Sequence, residues 1–167
     1  LAMPKLFIEK IDVATTISND GKSAKFIVHS AITDHWSGLK SESGNQLGFQ
    51  VEAVDKLNGT LVGRSGISPI SPLVNKSVSI NAEVVVPNPK LWSPETPDLY
   101  VLRCQIVRIV NKEINIIDEY ILDTGVRDIR WKDGSLMLNN NLLTLKGILW
   151  QEDHAIFASA MTYEALE

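Results

Sequence analysis

Apolar residues recur at every second position along most of this chain, and that period leaves few folds open. In KFIVHSAIT, Phe26, Val28, Ser30 and Ile32 share one face, while Lys25, Ile27, His29 and Ala31 share the other. LGFQVEAV puts Leu47, Phe49, Val51 and Ala53 together, and SVSINAEVVV does the same with Val78, Ile80, Ala82, Val84 and Val86. Side chains alternate across a strand, so each stretch reads as a half-buried β-strand. Asn58-Gly59 in DKLNGTLVG is a strong two-residue hairpin signal, because both central positions of a type I′ turn need φ > 0. Asn111-Lys112 is a second, weaker one. Loops rich in Ser, Gly and Pro (ISNDGKS, WSGLKSESGN, GISPISP) separate the rest. Residues 5 to about 123 therefore predict seven or so short strands and no helix, an all-β, immunoglobulin-like antiparallel sandwich. A closed barrel has the same periodicity and is the alternative.

The chain has 167 residues, 44% of them apolar, with a net charge of −4. A chain of about 150 residues buries roughly 70% of its unfolded surface, so no metal or disulfide is needed to hold it. A nucleic-acid binder would carry a basic stripe, which this charge disfavours. No apolar run has the length of a membrane span, and the opening LAMPKLFIEKID lacks the apolar core of a signal peptide. Cys104 is the single cysteine. It alternates with Tyr100, Leu102 and Ile106, which reads as a buried core thiol rather than a nucleophile.

KLWSPETPDLYVLR, residues 90 to 103, is the most rigid stretch. Pro87 and Pro89 end the strand before it, since proline cannot donate to a ladder. Ser93-Pro94 and Thr96-Pro97 suit turn positions, and the Asp98 carboxylate can accept from nearby amides. Tyr100 opens the next strand at the place of the corner tyrosine of immunoglobulin domains, with Leu102 where those domains put a cysteine. The stretch reads as a stiff crossover between sheets, with Trp92 as its plug.

Beyond residue 123 the texture changes. Turns are expected at Lys132-Asp133-Gly134 and at Asn139-Asn140-Asn141, the second closing a tight hairpin, LML-NNN-LLTL. LKGILW reads as a short apolar strand. AMTYEALE begins a helix with Thr162 as N-cap and Glu164 in its first turn. So short a helix is not stable alone, and this end reads as the edge of a piece of a larger protein.

Little in the chain looks like chemistry. Asp123-Thr124-Gly125 spells an aspartic-protease triplet, but that reaction needs two carboxylates sharing a proton, and Gly125 is better explained as a break between strands. His29, His35 and His154 are dispersed, without the spacing of a zinc site. Asn58-Gly59-Thr60 and Asn75-Lys76-Ser77 match the glycosylation pattern by chance. One cluster remains: Gln151, Glu152, Asp153 and His154, between an expected strand and an expected helix. Active sites of α/β barrels lie at such strand ends, although a charged loop would look the same.

Taken in order, LWSPETPDLYVLR, GVRDIRW, LMLNNNLLTLKG, EDH and AMTYEAL resemble glycoside hydrolase family 2, the β-galactosidase, β-glucuronidase and β-mannosidase family. In that family a jelly roll precedes an immunoglobulin-like sandwich, and a (β/α)₈ barrel with the active site follows. The resemblance implies a sandwich over residues 1–124. It makes residues 125–167 a linker, a β-hairpin and the truncated start of the barrel. It implies a retaining, galactosidase-type parent acting on O-glycosidic bonds in carbohydrates, whose two catalytic glutamates sit on later barrel strands beyond Glu167. The segment itself then holds no catalytic residue, cofactor or metal.

The family pattern carries Asn-Arg-His before Glu-Asp-His, where this chain has Leu149-Trp150-Gln151. Glu152, Asp153 and His154 match as written, so Gln151 to His154 become the substrate-pocket candidates of the parent. Gln151 can hydrogen-bond a sugar but carries no charge, and this departure leaves the sugar open. The implied partners are the jelly roll and barrel of the parent and its carbohydrate substrate, with a homo-oligomer also compatible; neither nucleic acid nor membrane is expected. Periplasmic or secreted placement is the family's habit, with the cytoplasm the other option. The rival from a different class is a free-standing module that binds glycan or protein. It expects the last 40 or so residues to complete the sandwich, whereas the glycosidase reading expects them to leave it.

Overall fold

In the computed structural model, residues 6–34, 46–71 and 77–149 are described. Every regular element among them is a strand. Strands β1 (Leu6–Ile17), β2 (Ser23–Asp34) and β6 (Ser77–Pro87) form one sheet in the order β1-β2-β6. Strands β3 (Gln46–Asp55), β4 (Leu61–Arg64), β7 (Tyr100–Val110) and β8 (Glu113–Thr124) form the other in the order β4-β3-β7-β8, and β5 (Ser68–Ile70) also pairs with β3. All these pairings are antiparallel. The chain changes sheet between β2 and β3, between β5 and β6, and again between β6 and β7. This is the immunoglobulin-like sandwich expected from the alternation, and the two separate hydrogen-bonded sheets exclude the closed barrel. The strands are longer than expected: β1, β2 and β8 each run 12 residues.

The core fills the space between the sheets with the predicted faces. Phe26, Val28 and Ile32 of β2, Phe49, Val51 and Ala53 of β3, and Ala82, Val84 and Val86 of β6 are buried, joined by Leu102, Cys104 and Ile106 of β7. Phe26 meets Tyr100 edge to face, with ring centroids 5.8 Å apart, a geometry that aligns ring edge with ring face. On β3 the opposite face is covered as well: Gln50 and Val54 are buried. The Gln50 amide is satisfied there by donating to Gln105 Oε1 at 2.7 Å, and Gln105 donates onward to Glu119 at 2.7 Å. The edges of the two sheets are tied by the Ile8 amide, which donates to Asp118 Oδ2 at 2.8 Å.

The turns reverse the expected ranking. Asn111 (φ 51°) and Lys112 (φ 71°) are both left-handed, and Val110 pairs directly with Glu113, so this is the true two-residue turn. At Asn58-Gly59 only Gly59 is left-handed (φ 71°). The loop there spans four residues, closed by Asp55 N–H to Thr60 O at 2.8 Å and Gly59 N–H to Asp55 O at 2.8 Å. Asp55 Oδ1 accepts from the Leu57 amide at 2.9 Å, and this side-chain cap favours the wider loop.

After β8 the chain leaves the sandwich. Strands β9 (Ile129–Lys132), β10 (Ser135–Leu138) and β11 (Asn141–Leu142) form a third sheet in the order β11-β10-β9. Its two turns are left-handed pairs, Asp133-Gly134 and Asn139-Asn140. The second turn is one residue tighter than expected, since Asn141 already pairs with Leu138. Residues 143–149 form no strand, and Ile148 and Leu149 are 86% and 88% exposed. The strand expected at LKGILW is therefore absent over its described part, residues 145–149. A strand needs a partner for its backbone groups, and no sheet among the described residues pairs with this stretch. The helix expected at AMTYEALE lies outside the described residues.

Candidate functional site

The corner between β6 and β7 joins the two sheets and meets the third. Asn88 takes a left-handed conformation and donates its amide to Lys22 O at 2.7 Å, which swings the chain off β6. The Lys90 amide then donates to the Tyr100 hydroxyl at 2.8 Å, and Lys90 Nζ pairs with Asp55 Oδ2 at 2.8 Å. The Asp55 side chain is almost enclosed. The ammonium of Lys90 bonded to it holds its carboxyl below the usual carboxylate range, and Lys90 is pushed up by the same bond. Burial raises the phenol of Tyr100. Within the proline turn the side-chain acceptor is Ser93 rather than Asp98: Ser93 Oγ receives the Thr96 amide at 3.1 Å.

Trp92 is not the plug of the sandwich. It is only half-buried, and Tyr100 and Val126 occupy the enclosed positions at this end. Trp92 instead packs on the linker that leads out of the sandwich. Its amide donates to Val126 O at 2.8 Å beside a parallel bridge between Leu91 and Val126. The Arg127 guanidinium lies 4.9 Å from the ring centroid, within cation–π range. A Cβ on Gly125 would sit 2.8 Å from Trp92 Cβ, so only glycine fits there. The sequence signal for this seam was Gly125-Val126-Arg127, which periodicity alone does not read.

Asn139 completes the seam. Its Nδ2 donates to Trp92 O at 2.9 Å, its backbone amide donates to Asp128 O at 2.8 Å, and its Oδ1 accepts from the Asp128 amide at 3.0 Å. A cleft of about 710 Å³ opens between the proline turn and the third sheet, with Ser93, Glu95, Asn141, Thr144 and Lys146 among its walls. Glu95 is the single carboxylate among its described lining residues.

Cys104 is enclosed, and burial pushes its thiol up to about 12, with Glu119 adding to the shift; it is a core residue. Asp123 pairs with Lys56 at 2.6 Å on the surface, and Gly125 is explained by Trp92, so the protease triplet is structural. His29 is exposed and bonds Asn81 at 2.8 Å. Among the described residues no group of three or more His, Cys, Asp or Glu could hold a metal ion. Gln151, Glu152, Asp153 and His154, together with His35 and the Asn75 glycosylation match, lie outside the described residues.

The profile described as glycosyl hydrolases family 2 matches residues 6–127. A β-galactosidase of Psychromonas ingrahamii is 25% identical over 164 residues, covering 98% of this chain and 15% of that protein. A β-galactosidase of Yersinia pestis is 25% identical over 172 aligned positions, covering 99% and 16%. The chain thus spans about a sixth of the length of these curated relatives. Among solved structures, a glycosyl hydrolase family 2 member from Bacteroides cellulosilyticus superposes with a TM-score of 0.71 at 23% identity, over 96% of this chain and 21% of that one. A β-glucuronidase of Bacteroides uniformis gives 0.66 at 20% identity, over 96% and 19%. These structures share the fold, and the sequence match carries the kinship: the chain belongs to glycosyl hydrolases family 2.

Proposed function

We propose that this chain is a non-catalytic β-sandwich module of a β-galactosidase-like glycosyl hydrolase, whose parent cleaves O-glycosidic bonds in carbohydrates with retention. The observation that carries this reading is the alignment of nearly the whole chain to about a sixth of two β-galactosidases. Retaining hydrolysis needs two carboxyl groups about 5 Å apart. The acids near the corner are already committed to structure, Asp55 to Lys90 and Asp123 to Lys56, and the cleft beside it holds one carboxylate among its described walls. In this reading the catalytic glutamates lie on barrel strands beyond Glu167.

The division follows. Residues 1–124 are the sandwich, and residues 125–167 are the linker, the hairpin and the first strand and helix start of a (β/α)₈ barrel. Gln151, Glu152, Asp153 and His154 are the residues that would line the sugar pocket. The jelly roll and barrel of the parent are the module's partners. The exposed Leu145, Ile148 and Leu149 fit a segment that pairs only when those domains are present. The rival, a free-standing binding module, expects the C-terminal stretch to finish the sandwich; β9, β10 and β11 instead pair only among themselves.

Extending the chain to the length of its relatives and assaying a panel of nitrophenyl β-glycosides tests the parent assignment. Turnover of the β-galactoside above the β-glucuronide and β-mannoside is expected. An extended protein inactive on every glycoside would overturn the reading.

A further inference from the structure

We infer that Asn139 is the positioning residue by which the sandwich sets the direction of the sheet that follows it. This rests on the reading that residues 125–167 lead from the sandwich into the next domain of the parent. No strand pairing joins β9, β10 and β11 to the two sandwich sheets, so other contacts must fix their relative placement. Asn139 reaches back 47 residues to the Trp92 carbonyl. Trp92 is itself held to the sandwich end through Val126, which is fully buried.

The chemistry fixes which way the amide points. The Asp128 backbone N–H can only donate and the Trp92 carbonyl can only accept, so Oδ1 must face the first and Nδ2 the second. Both bonds are made at once only when β9 lies at one angle to the corner. Asn139 also sits at φ 51°, a conformation that asparagine and aspartate tolerate better than most residues. Asn139→Asp therefore keeps the turn and the acceptor for Asp128. It removes the donor to Trp92 and faces a carbonyl with a carboxylate instead.

The test is a distance measurement by electron spin resonance on this chain, with spin labels at Lys10→Cys on β1 and Lys132→Cys on β9. Cys104 is buried and does not take the label. Amide exchange across the Arg130–Met137 and Lys132–Ser135 pairs reports whether the hairpin itself survives. One narrow distance is expected for the otherwise unaltered chain. In Asn139→Asp that single distance is lost to a broad distribution while the hairpin amides stay protected. A distance that stays narrow overturns the inference. Loss of hairpin protection overturns it too, because Asn139 would then be needed to fold the hairpin rather than to aim it. Neither outcome depends on hydrolysis, so the proposed glycosidase parent stands or falls separately.

Discussion

The Lys90 amide donates to the Tyr100 hydroxyl at 2.8 Å, tying the crossover to the first residue of β7. The ring below that hydroxyl packs on Phe26 of the opposite sheet. One side chain thus joins both sheets and the corner. Tyr100→Phe keeps the ring and leaves the Lys90 amide without its partner. Losing a partner of a partly buried donor costs about 1–3 kcal/mol. Urea unfolding of this variant should show that loss, and Tyr100→Ala, which also removes the ring, should lose about 3–5 kcal/mol. A Phe variant as stable as the unaltered chain would show the bond to be dispensable.

Gly125 marks the seam between Trp92 and the linker. Gly125→Ala pushes a methyl into Trp92 Cβ and Cγ, at 2.8 and 2.9 Å. Overpacking of this kind typically costs about 1–3 kcal/mol. The loss should appear in thermal unfolding, together with a change in tryptophan emission as the ring is displaced from Arg127.

The Asp55–Lys90 pair makes part of the stability depend on pH. The Asp55 carboxyl is held below its ordinary value by the bond to Lys90. A carboxyl whose pKa is lowered by folding stabilises the protein fully above its unfolded value of about 3.9, and that contribution is lost as pH falls through the folded value. Asp55→Asn should be less stable than the unaltered chain at pH 7. The difference should shrink below about pH 4, since 3.9 is the ordinary Asp value. Chemical unfolding at a series of pH values checks this, and a difference that stays constant from pH 7 to pH 3 would refute it.

Cys104 should be silent to thiol reagents in the native protein. Its surroundings hold the thiol at about 12, and the thiolate is the reactive form. Labelling at pH 8 should proceed only on unfolding, with a rate that follows the denaturant concentration. Fast labelling without denaturant would mean that β7 opens locally.

Ser30 faces the core from β2, and its hydroxyl is buried with no hydrogen-bond partner among the described residues. Removing an unsatisfied polar group relieves a desolvation cost of about 1–3 kcal/mol, less the contacts of the oxygen. Ser30→Ala should therefore raise stability by up to about 1 kcal/mol. A marked loss of stability would mean that the hydroxyl has a bound water.

The sandwich was legible because its strands carry the period of the fold: the faces containing Phe26, Phe49 and Val84 are the buried ones. The turns were less so. Asn58-Gly59 looked like the tightest hairpin, yet the Asp55 carboxylate caps a wider loop; such a choice depends on side-chain bonds that a dipeptide does not reveal. Asn111-Lys112 looked weaker for want of a glycine, although asparagine itself tolerates the left-handed region. Trp92 reads as core in the sequence because large aromatics usually are. Its role at the seam depends on Gly125 and Asn139, distant in sequence and carrying no periodic signal. The expected strand at LKGILW failed for the opposite reason: its apolar residues are real, but pairing is a property of neighbours. Gln151, Glu152, Asp153 and His154 lie outside the described residues and stand as pocket candidates on their place after LKGILW and on the family resemblance.

The most direct measurement compares this chain with the same chain extended to the length of its family relatives, on nitrophenyl β-galactoside under identical conditions. The account predicts turnover by the extended protein and none above the uncatalysed rate by residues 1–167. Turnover by residues 1–167 alone would contradict it, and would place a complete catalytic site within this chain.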